Sequence, residues 1–239
     1  MIKLENTETF GWEAAIRGMR NPLNSWDKSD SEFDGDPYSC QSGVGSCPNI
    51  GSCACYIGKN DLDLMIRLRN AGTDHRKFMR MITVYVDITA PLYWWKEFDT
   101  YKVGTVANSC STMHKIHDKE FTLDDFSCEH LFGFEDEPFM VTVSSDGTKL
   151  SPLGLMADVI KMLNGCREKY IETKNKDYWW QMIQLLPSSY NQKRTIMFNY
   201  EVLTNMCKSR KNHKLDEWHD FCDWIETLPY SELITGEEK

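Results

Sequence analysis

The chain has 239 residues and a formal charge of −9, with 36 acidic against 27 basic side chains and a pI of about 5.2. That length suffices for one large domain or two small ones. The acidic balance argues against general nucleic-acid binding, although a few local cations are enough for a small nucleotide. No apolar run reaches the roughly 20 residues of a membrane span, and no signal-peptide pattern opens the chain. We therefore expect no membrane partner and a cytoplasmic protein (in the host cytoplasm if a phage encodes it) whose nine cysteines are reduced.

The N-terminal quarter is expected to contain a helix followed by a long loop. Apolar residues at i, i+3, i+4 and i+7 from Trp12 predict a helix over residues 7–20, with Thr7 as its N-cap. Residues 21–60 lack any periodicity and are dense in Ser, Gly, Asp, Asn and Pro, which indicates a loop insertion. A second helix is predicted from Asp61 onward.

The middle of the chain has strand and turn signals. Residues 81–89, MITVYVDIT, are β-branched and aromatic and predict a strand, which ends at Pro91 where a helix through LYWWKEFDTY begins. Residues 104–130 are polar and loop-like. Residues 140–145, MVTVSS, predict a short strand before the Asp146-Gly147 turn.

The C-terminal part is predicted to be helical. One helix is expected from Ser151 to about Gly165, and two or three more over residues 167–228, with a break near Pro187. We find no internal repeat. The elements together predict an α+β protein forming one domain over residues 1–239, interrupted by the loop insertion.

Four cysteines lie in or at the edge of that insertion with the spacing C-x6-C-x5-C-x-C: Cys40, Cys47, Cys53 and Cys55. Four thiolates can bind zinc, but this is not the C-x2–4-C spacing of the usual zinc knuckles. Plain thiols in a variable loop are the favoured interpretation, and a structural zinc site is the alternative.

Two separated segments of the chain each contain a characteristic order of residues. The first, residues 71–114, has His75, then the predicted strand, Ala-Pro opening a helix, and the polar loop TYKVGTVANSCS of residues 100–111. The second has Pro187 followed at intervals of twelve, six and five residues by Asn199, Asn205 and Arg210. In order, spacing and separation these segments resemble the flavin-dependent thymidylate synthases, whose signature is RHR-x-x-S-x-x-x-x-S-x-R.

The resemblance also shows what is missing, because no Arg occurs between Arg80 and Arg167. The signature RHR falls on Thr100, Tyr101 and Lys102, its first Ser on Thr105, its second on Cys110 or Ser111 depending on the register, and its last Arg on Thr112. Ile183 stands where the family has an Arg before the Leu-Pro pair, Glu97 replaces a Gln-like ligand, and Asn108 replaces a Glu. In the family these arginines hold flavin and the substrate phosphate, and an Arg fork suits that work because it meets phosphate oxygens two at a time.

The residues that the resemblance and the local cations nominate for nucleotide or cofactor binding are His75, Lys77, Arg80, Glu97, Tyr101, Lys102, Thr105, Asn108, Ser111, Arg194, Asn199, Asn205 and Arg210. The cations of residues 76–80 and 193–194 are either solvated surface or a relocated anion site. The second segment from Asn199 to Arg210 is predicted as one helix, which either faces a ligand cleft or is an ordinary surface helix. No catalytic residue can be named.

The resemblance implies a central antiparallel sheet flanked by helices, a homotetramer and FAD as a cofactor. The missing arginines favour a nucleotide-binding protein that is re-purposed or non-catalytic. The alternatives are an active FAD-dependent enzyme that transfers a one-carbon unit to C5 of dUMP or a related pyrimidine nucleotide, and a structural or oligomeric interaction protein.

Overall fold

The computed structural model describes residues 2–33, 55–133, 140–142, 147 and 149–236, apart from the side chain of Cys55. The strands within these ranges are β1 (Lys3–Phe10), β2 (Glu32–Phe33), β3 (Cys55–Tyr56), β4 (Thr83–Pro91), β5 (Val106–Ser109), β6 (Val141–Thr142), β7 (Lys149–Leu150) and β8 (Asn191–Asn199). The α-helices are α1 (Trp12–Arg20), α2 (Lys59–Asn70), α3 (Leu92–Phe98), α4 (Pro152–Thr173), α5 (Lys176–Leu185), α6 (Tyr200–Arg210), α7 (Asp216–Glu226) and α8 (Glu232–Thr235).

The main sheet has four strands in the order β1-β4-β8-β5. β1 pairs antiparallel with β4, from Lys3 opposite Thr89 to Phe10 opposite Thr83, with an irregularity between Glu5 and Glu8. Asn6 lies at this irregularity with a φ of 55°, a left-handed conformation that asparagine tolerates better than most residues. The predicted α+β class with a central antiparallel sheet flanked by helices is confirmed.

The first predicted helix is wrong in its first part. Residues 3–10 form β1, and α1 begins only at Trp12. Residues 8–10, predicted as the first turn of the helix, instead satisfy their backbone by pairing with β4. Gly11 is the N-cap of α1, with a φ of 91°, and a Cβ there would lie 2.0 Å from the carbonyl oxygen of Met81. The apolar face that begins at Trp12 is buried as predicted.

Three further predictions need correction. β5 lies within residues 104–130, a stretch predicted as loop. Its sequence carries no strand signal, because its four residues are all exposed and show no hydrophobic alternation. α4 continues through Gly165 to Thr173, since one glycine costs a helix only about 1 kcal/mol. β8 replaces predicted helix, and the alternating burial of Ile196 and Phe198 marks it as a strand.

The chain divides into two compact units. The first comprises Ala90–Glu97 and Ser109–Lys193. It contains the packed pair α4 and α5, and its core includes Ile116, Phe121, Phe126, Leu163 and Met182. That a single domain spans residues 1–239 stays a prediction, as does the insertion, of which residues 34–54 lie outside the described ranges.

The second unit comprises Ile2–Thr89, Phe98–Asn108 and Arg194–Lys239. Aromatic side chains from β8 and α7 form part of its core, with the rings of Phe198 and Phe221 5.9 Å apart between centroids. No helix among the described residues is long and apolar enough to cross a bilayer.

A buried ion pair at the start of α2 was not foreseen from the sequence. Asp61 is completely buried and accepts hydrogen bonds from Arg20 Nε at 2.6 Å, Ser29 Oγ at 2.7 Å and Ser31 Oγ at 2.6 Å. Burial by itself raises the pKa of Asp61, but these hydrogen bonds and the charge of Arg20 outweigh it and hold the pKa below the usual value. The carboxylate therefore ties α1 and the segment after it to α2.

Candidate functional site

Arg210, the last residue of α6, is held by two aromatic side chains of the second unit. Its Nε donates a hydrogen bond to the hydroxyl of Tyr101 at 2.9 Å. Its guanidinium carbon lies 4.7 Å from the ring centroid of Trp218 and 5.5 Å from that of Tyr101. A guanidinium over an aromatic face is attracted by the ring quadrupole, more strongly where water is excluded. These contacts fix the orientation of a half-buried positive charge.

The segment that contains Tyr101 is itself braced. Thr105 Oγ1 donates a hydrogen bond to the carbonyl oxygen of Tyr101 at 2.5 Å, which closes a turn over residues 101–105. Gly104 within the turn has a φ of 78°, and a Cβ there would lie 2.9 Å from both Asn199 Nδ2 and Val202 Cγ2. Only glycine allows this close approach to α6.

Asn199 begins α6 and is not part of its body, which corrects the prediction that it shares one helix with Arg210. Its Oδ1 accepts a hydrogen bond from the backbone of Val202 at 3.0 Å, the arrangement of an N-cap. Its Nδ2 approaches the carbonyl oxygen of Gly104 at 3.5 Å. Asn199 and Arg210 thus mark opposite ends of α6, about 16 Å apart along its axis. Both ends contact residues of the 101–104 segment.

A second cluster joins α6 to the short 3-10 helix Arg76–Met81. The buried carboxylate of Glu201 accepts from Arg76 Nε at 3.3 Å and pairs with Arg80. Arg76 also donates to Asn205 Oδ1 at 3.2 Å. Burial by itself raises the pKa of Glu201, but hydrogen bonds and charges from Arg80 and Arg76 lower it below the usual value. Three guanidinium groups, those of Arg69, Arg76 and Arg80, thus lie near two carboxylates, Glu201 and Asp74.

Several nominated residues are not brought into these clusters. Arg194 pairs with Asp99, with NH1 2.7 Å from Oδ1, so a carboxylate already counters its charge. The exposed nominated residues outside the two clusters are His75, Lys77, Lys102, Asn108 and Ser111. Ser111 and the half-buried Glu97 belong to the first unit, where Ser111 Oγ accepts from the backbone of His114. None of these geometries assigns a ligand role by itself.

The zinc prediction cannot be placed on the structure. Cys40, Cys47 and Cys53 lie outside the described residues, together with the side chain of Cys55. Among the side chains that are described, no group of three or more His, Cys, Asp or Glu residues is arranged to hold a metal ion. The zinc site in the insertion therefore stays a prediction.

Sequence reasoning did not find Trp218 or Glu201, which organise the two clusters. Trp218 is a buried residue on the apolar face of α7, where its spacing indicates core packing and gives no sign of a neighbouring Arg. Glu201 is a buried acid in the first turn of α6. A charged residue placed among apolar neighbours on one helix face was the available signal for it.

Solved structures similar to this chain include flavin-dependent thymidylate synthases and a UMP/dUMP methylase. Thymidylate synthase X from Helicobacter pylori, solved with FAD and dUMP, superposes with a TM-score of 0.62 at 15% identity, covering 99% of this chain and 98% of that one. A second structure of that enzyme, complexed with FAD and dUMP, gives 0.61 at 16% identity with coverage of 100% and 99%. The UMP/dUMP methylase PolB from Streptomyces cacaoi, bound with 5-Br dUMP, gives 0.56 at 13% identity with coverage of 99% and 94%.

Likeness at this level of identity shows the fold, and the chain has the fold of the flavin-dependent thymidylate synthases over its full length. Neither protein-family models nor curated proteins gave a match to the sequence.

Proposed function

We propose that the protein is a diverged member of the flavin-dependent thymidylate synthase superfamily that binds a nucleotide through α6, in a site that is re-purposed or non-catalytic. The observation that carries this proposal is the guanidinium of Arg210, oriented by Tyr101 and Trp218. Arg210 lies at the position where the resemblance, through its spacing from Pro187, places an Arg.

The chemistry of this cluster suits a nucleotide. A guanidinium has five N–H donors in a planar fork, and Nε is the donor directed at Tyr101. Phosphate oxygens and base carbonyls are the acceptors that such a fork recognises. A fixed orientation lowers the entropy lost on binding, since the side chain is ordered before the ligand arrives.

Local charge supports an anionic ligand on a protein that is acidic as a whole. The second cluster brings the guanidinium groups of Arg69, Arg76 and Arg80 near the two carboxylates of Glu201 and Asp74. Because the chain carries a formal charge of −9, an anion is attracted only where cations are concentrated. Asn205, on the same helix as Glu201, accepts a hydrogen bond from Arg76 and adds an amide to that surface.

The residues present do not fit FAD as the resemblance implies it. A flavin dinucleotide brings a diphosphate, which needs several cationic or backbone donors. In the alignment that the resemblance implies, Thr100, Lys102 and Thr112 stand in place of the signature arginines, and Arg194 is countered by Asp99. We therefore derive no flavin step for this chain.

An active FAD-dependent enzyme acting on dUMP or a related pyrimidine nucleotide is the second candidate. The observation in its favour is the coverage of nearly the whole chain by a fold whose solved examples hold FAD and dUMP. A third candidate, an oligomeric interaction protein, has support from apolar side chains exposed on α4, Leu155 at 52% and Met162 at 58%. Self-association, including a homotetramer, belongs with these proposals.

A thermal-shift series separates the candidates. The purified protein is heated with dUMP, UMP, dTMP, AMP and FAD, and its visible spectrum is recorded. We expect at least one mononucleotide at about 100 times its Kd to add about 2.7 kcal/mol of stability, or roughly 5–10 °C in Tm for a chain of this size. A colourless protein that takes up no added FAD argues against the flavoenzyme, and no shift with any nucleotide contradicts the binding proposal itself.

A further inference from the structure

Two cysteines face each other across the contact between α6 and α7. Cys207 on α6 is 8% exposed and Cys222 on α7 is 6% exposed, and both are reduced thiols. Their side chains are hydrogen-bonded to each other. That hydrogen bond and burial raise the pKa of the Cys222 thiol far above its usual value, so Cys222 holds its proton.

The two thiols are reached from solvent through one pocket. Cys207 and Cys222 line a cavity of about 410 Å³, together with Lys211, His213, His219 and Asp223 among others. This volume admits small oxidants and thiol reagents. The charge of Lys211 on the rim of this cavity opposes burial and by itself lowers the pKa of Cys222, and a nearby cation is what favours the reactive thiolate.

The thiols lie one helical turn from the candidate nucleotide site. Arg210 follows Cys207 by three residues on α6, and Trp218 precedes Cys222 by four residues on α7. Residues three or four apart lie on the same face of a helix. The contact of Arg210 with Trp218 and the contact of Cys207 with Cys222 are therefore neighbouring connections between the same two helices.

We propose that Cys207 and Cys222 form a reversible disulfide that joins α6 to α7 and controls how firmly Arg210 is held. With hydrogen peroxide as oxidant, the Cys207 sulfur attacks one peroxide oxygen and the O–O bond breaks. The departing hydroxide takes the Cys207 proton, which gives a sulfenic acid and one water. The Cys222 sulfur then attacks the sulfenic sulfur, the S–S bond forms, and hydroxide leaves with the Cys222 proton as a second water. Two thiols lose two electrons, which reduce one peroxide to two waters.

The effect on ligand binding rests on the proposed function. A covalent link one turn away restricts the motion of α6 against α7 and so keeps Arg210 over Trp218 before a ligand binds. Less conformational entropy is then lost on binding, so the oxidised protein binds its nucleotide more tightly than the reduced protein. Coupling between sites commonly amounts to a factor of about five or more.

The disulfide is tested on the wild-type protein. Reduced protein is exposed to hydrogen peroxide, its remaining thiols are alkylated in denaturant, and peptides are mapped without reduction. We expect a peptide pair joined through Cys207 and Cys222 that dithiothreitol separates, and one phenylarsine oxide bridging the same pair in the reduced protein. Recovery of both cysteines alkylated while the exposed Cys110 is oxidised would overturn the proposal.

The coupling is tested by titrating the nucleotide from the thermal-shift series into oxidised and reduced protein. We expect about fivefold tighter binding after oxidation, and no response to peroxide in Cys207→Ser, with Cys166→Ser as a control that still responds. A cross-link with unchanged affinity would overturn the control of Arg210 while leaving nucleotide binding intact. A cross-link with no binding in either state counts against the proposed function alone.

Discussion

The guanidinium of Arg210 lies over Trp218, with its central carbon 4.7 Å from the ring centroid. Arg210 ends α6 and Trp218 lies in the first turn of α7, so the contact joins the two helices across the short connection between them. A partly desolvated cation–π contact contributes about 1–2 kcal/mol. The orientation of the central residue of the proposed site therefore depends on a helix that contributes no nominated residue of its own.

Tyr101→Phe tests whether Arg210 is oriented by the Tyr101 hydroxyl. The substitution keeps the ring and removes the acceptor of the Arg210 Nε–H bond. We expect nucleotide affinity to fall roughly fivefold, because a hydrogen bond to a charged group contributes about 1 kcal/mol or more. Calorimetric titration measures the change. Tyr85→Phe, on the exposed side of β4, is the matched control and should bind as the wild type does.

Glu201→Gln tests the second cluster. Loss of the buried negative charge leaves Arg76 and Arg80 without their carboxylate partner, which we expect to lower the free energy of unfolding by about 1–3 kcal/mol. Urea unfolding measures it. Glu13→Gln removes an exposed partner of Arg17 and should change stability by less than about 0.5 kcal/mol. Equal effects of the two substitutions would show that the cluster is ordinary surface.

Asp61→Asn tests the buried ion pair with Arg20. An uncompensated Arg at 3% exposure should lower the free energy of unfolding by about 3–5 kcal/mol. Asp158→Asn, at an exposed pair with Lys161, is the control and should lose less than about 1 kcal/mol. Urea unfolding at neutral pH compares them, and a wild-type midpoint for Asp61→Asn would contradict the role of the pair.

The lowered pKa of Asp61 leads us to expect that stability depends on pH. The folded-state pKa of Asp61 is lowered, as are those of Asp125 and Glu201, so the stability that they contribute is fully present above about pH 4–5. It is lost as pH falls through the folded-state pKa values. We therefore expect unfolding midpoints in urea to be constant above about pH 5 and to drop below about pH 4. A midpoint that stays constant below that pH would show that these carboxylates contribute nothing.

Gly104→Ala tests the close approach of the 101–105 turn to α6. The added Cβ meets Asn199 and Val202 at 2.9 Å in a backbone with φ 78°. We expect a loss of about 1–3 kcal/mol in stability together with weaker nucleotide binding. Gly165→Ala on α4, where a Cβ meets nothing within 4 Å, should raise stability by up to about 1 kcal/mol. Thermal unfolding of the two variants measures the change in stability. A Gly104→Ala variant as stable as the wild type would contradict the role of the close approach to α6.

The fold was predictable where local signals and tertiary pairing agree. The buried face that begins at Trp12, the strand before Pro91 and the cap at Ser151 all follow from spacing and residue type. β1 and β8 were missed because strand pairing between distant segments decides them, and Ile196 and Phe198 give too short an alternation to overrule a helical interpretation.

The candidate site was predictable only in part. Spacing from Pro187 identified Asn199 and Arg210, and the structure connects both to the turn that contains Tyr101. The sequence could not show that Asn199 caps α6, because that depends on where β8 ends. The sequence also could not place Trp218 beside Arg210, because the chain reversal between α6 and α7 is what brings the two residues together.

The most direct test of nucleotide binding through Arg210 is calorimetric titration of the mononucleotide with the largest thermal shift into the wild type, Arg210→Ala and Lys208→Ala. Lys208 is exposed on the same helix, so its loss matches the change in charge. We predict that Arg210→Ala, with an unchanged circular dichroism spectrum, binds roughly 10- to 150-fold more weakly, as expected for loss of about 1.5–3 kcal/mol. Lys208→Ala should stay within about twofold of the wild type. Equal affinities for Arg210→Ala and the wild type would contradict the account.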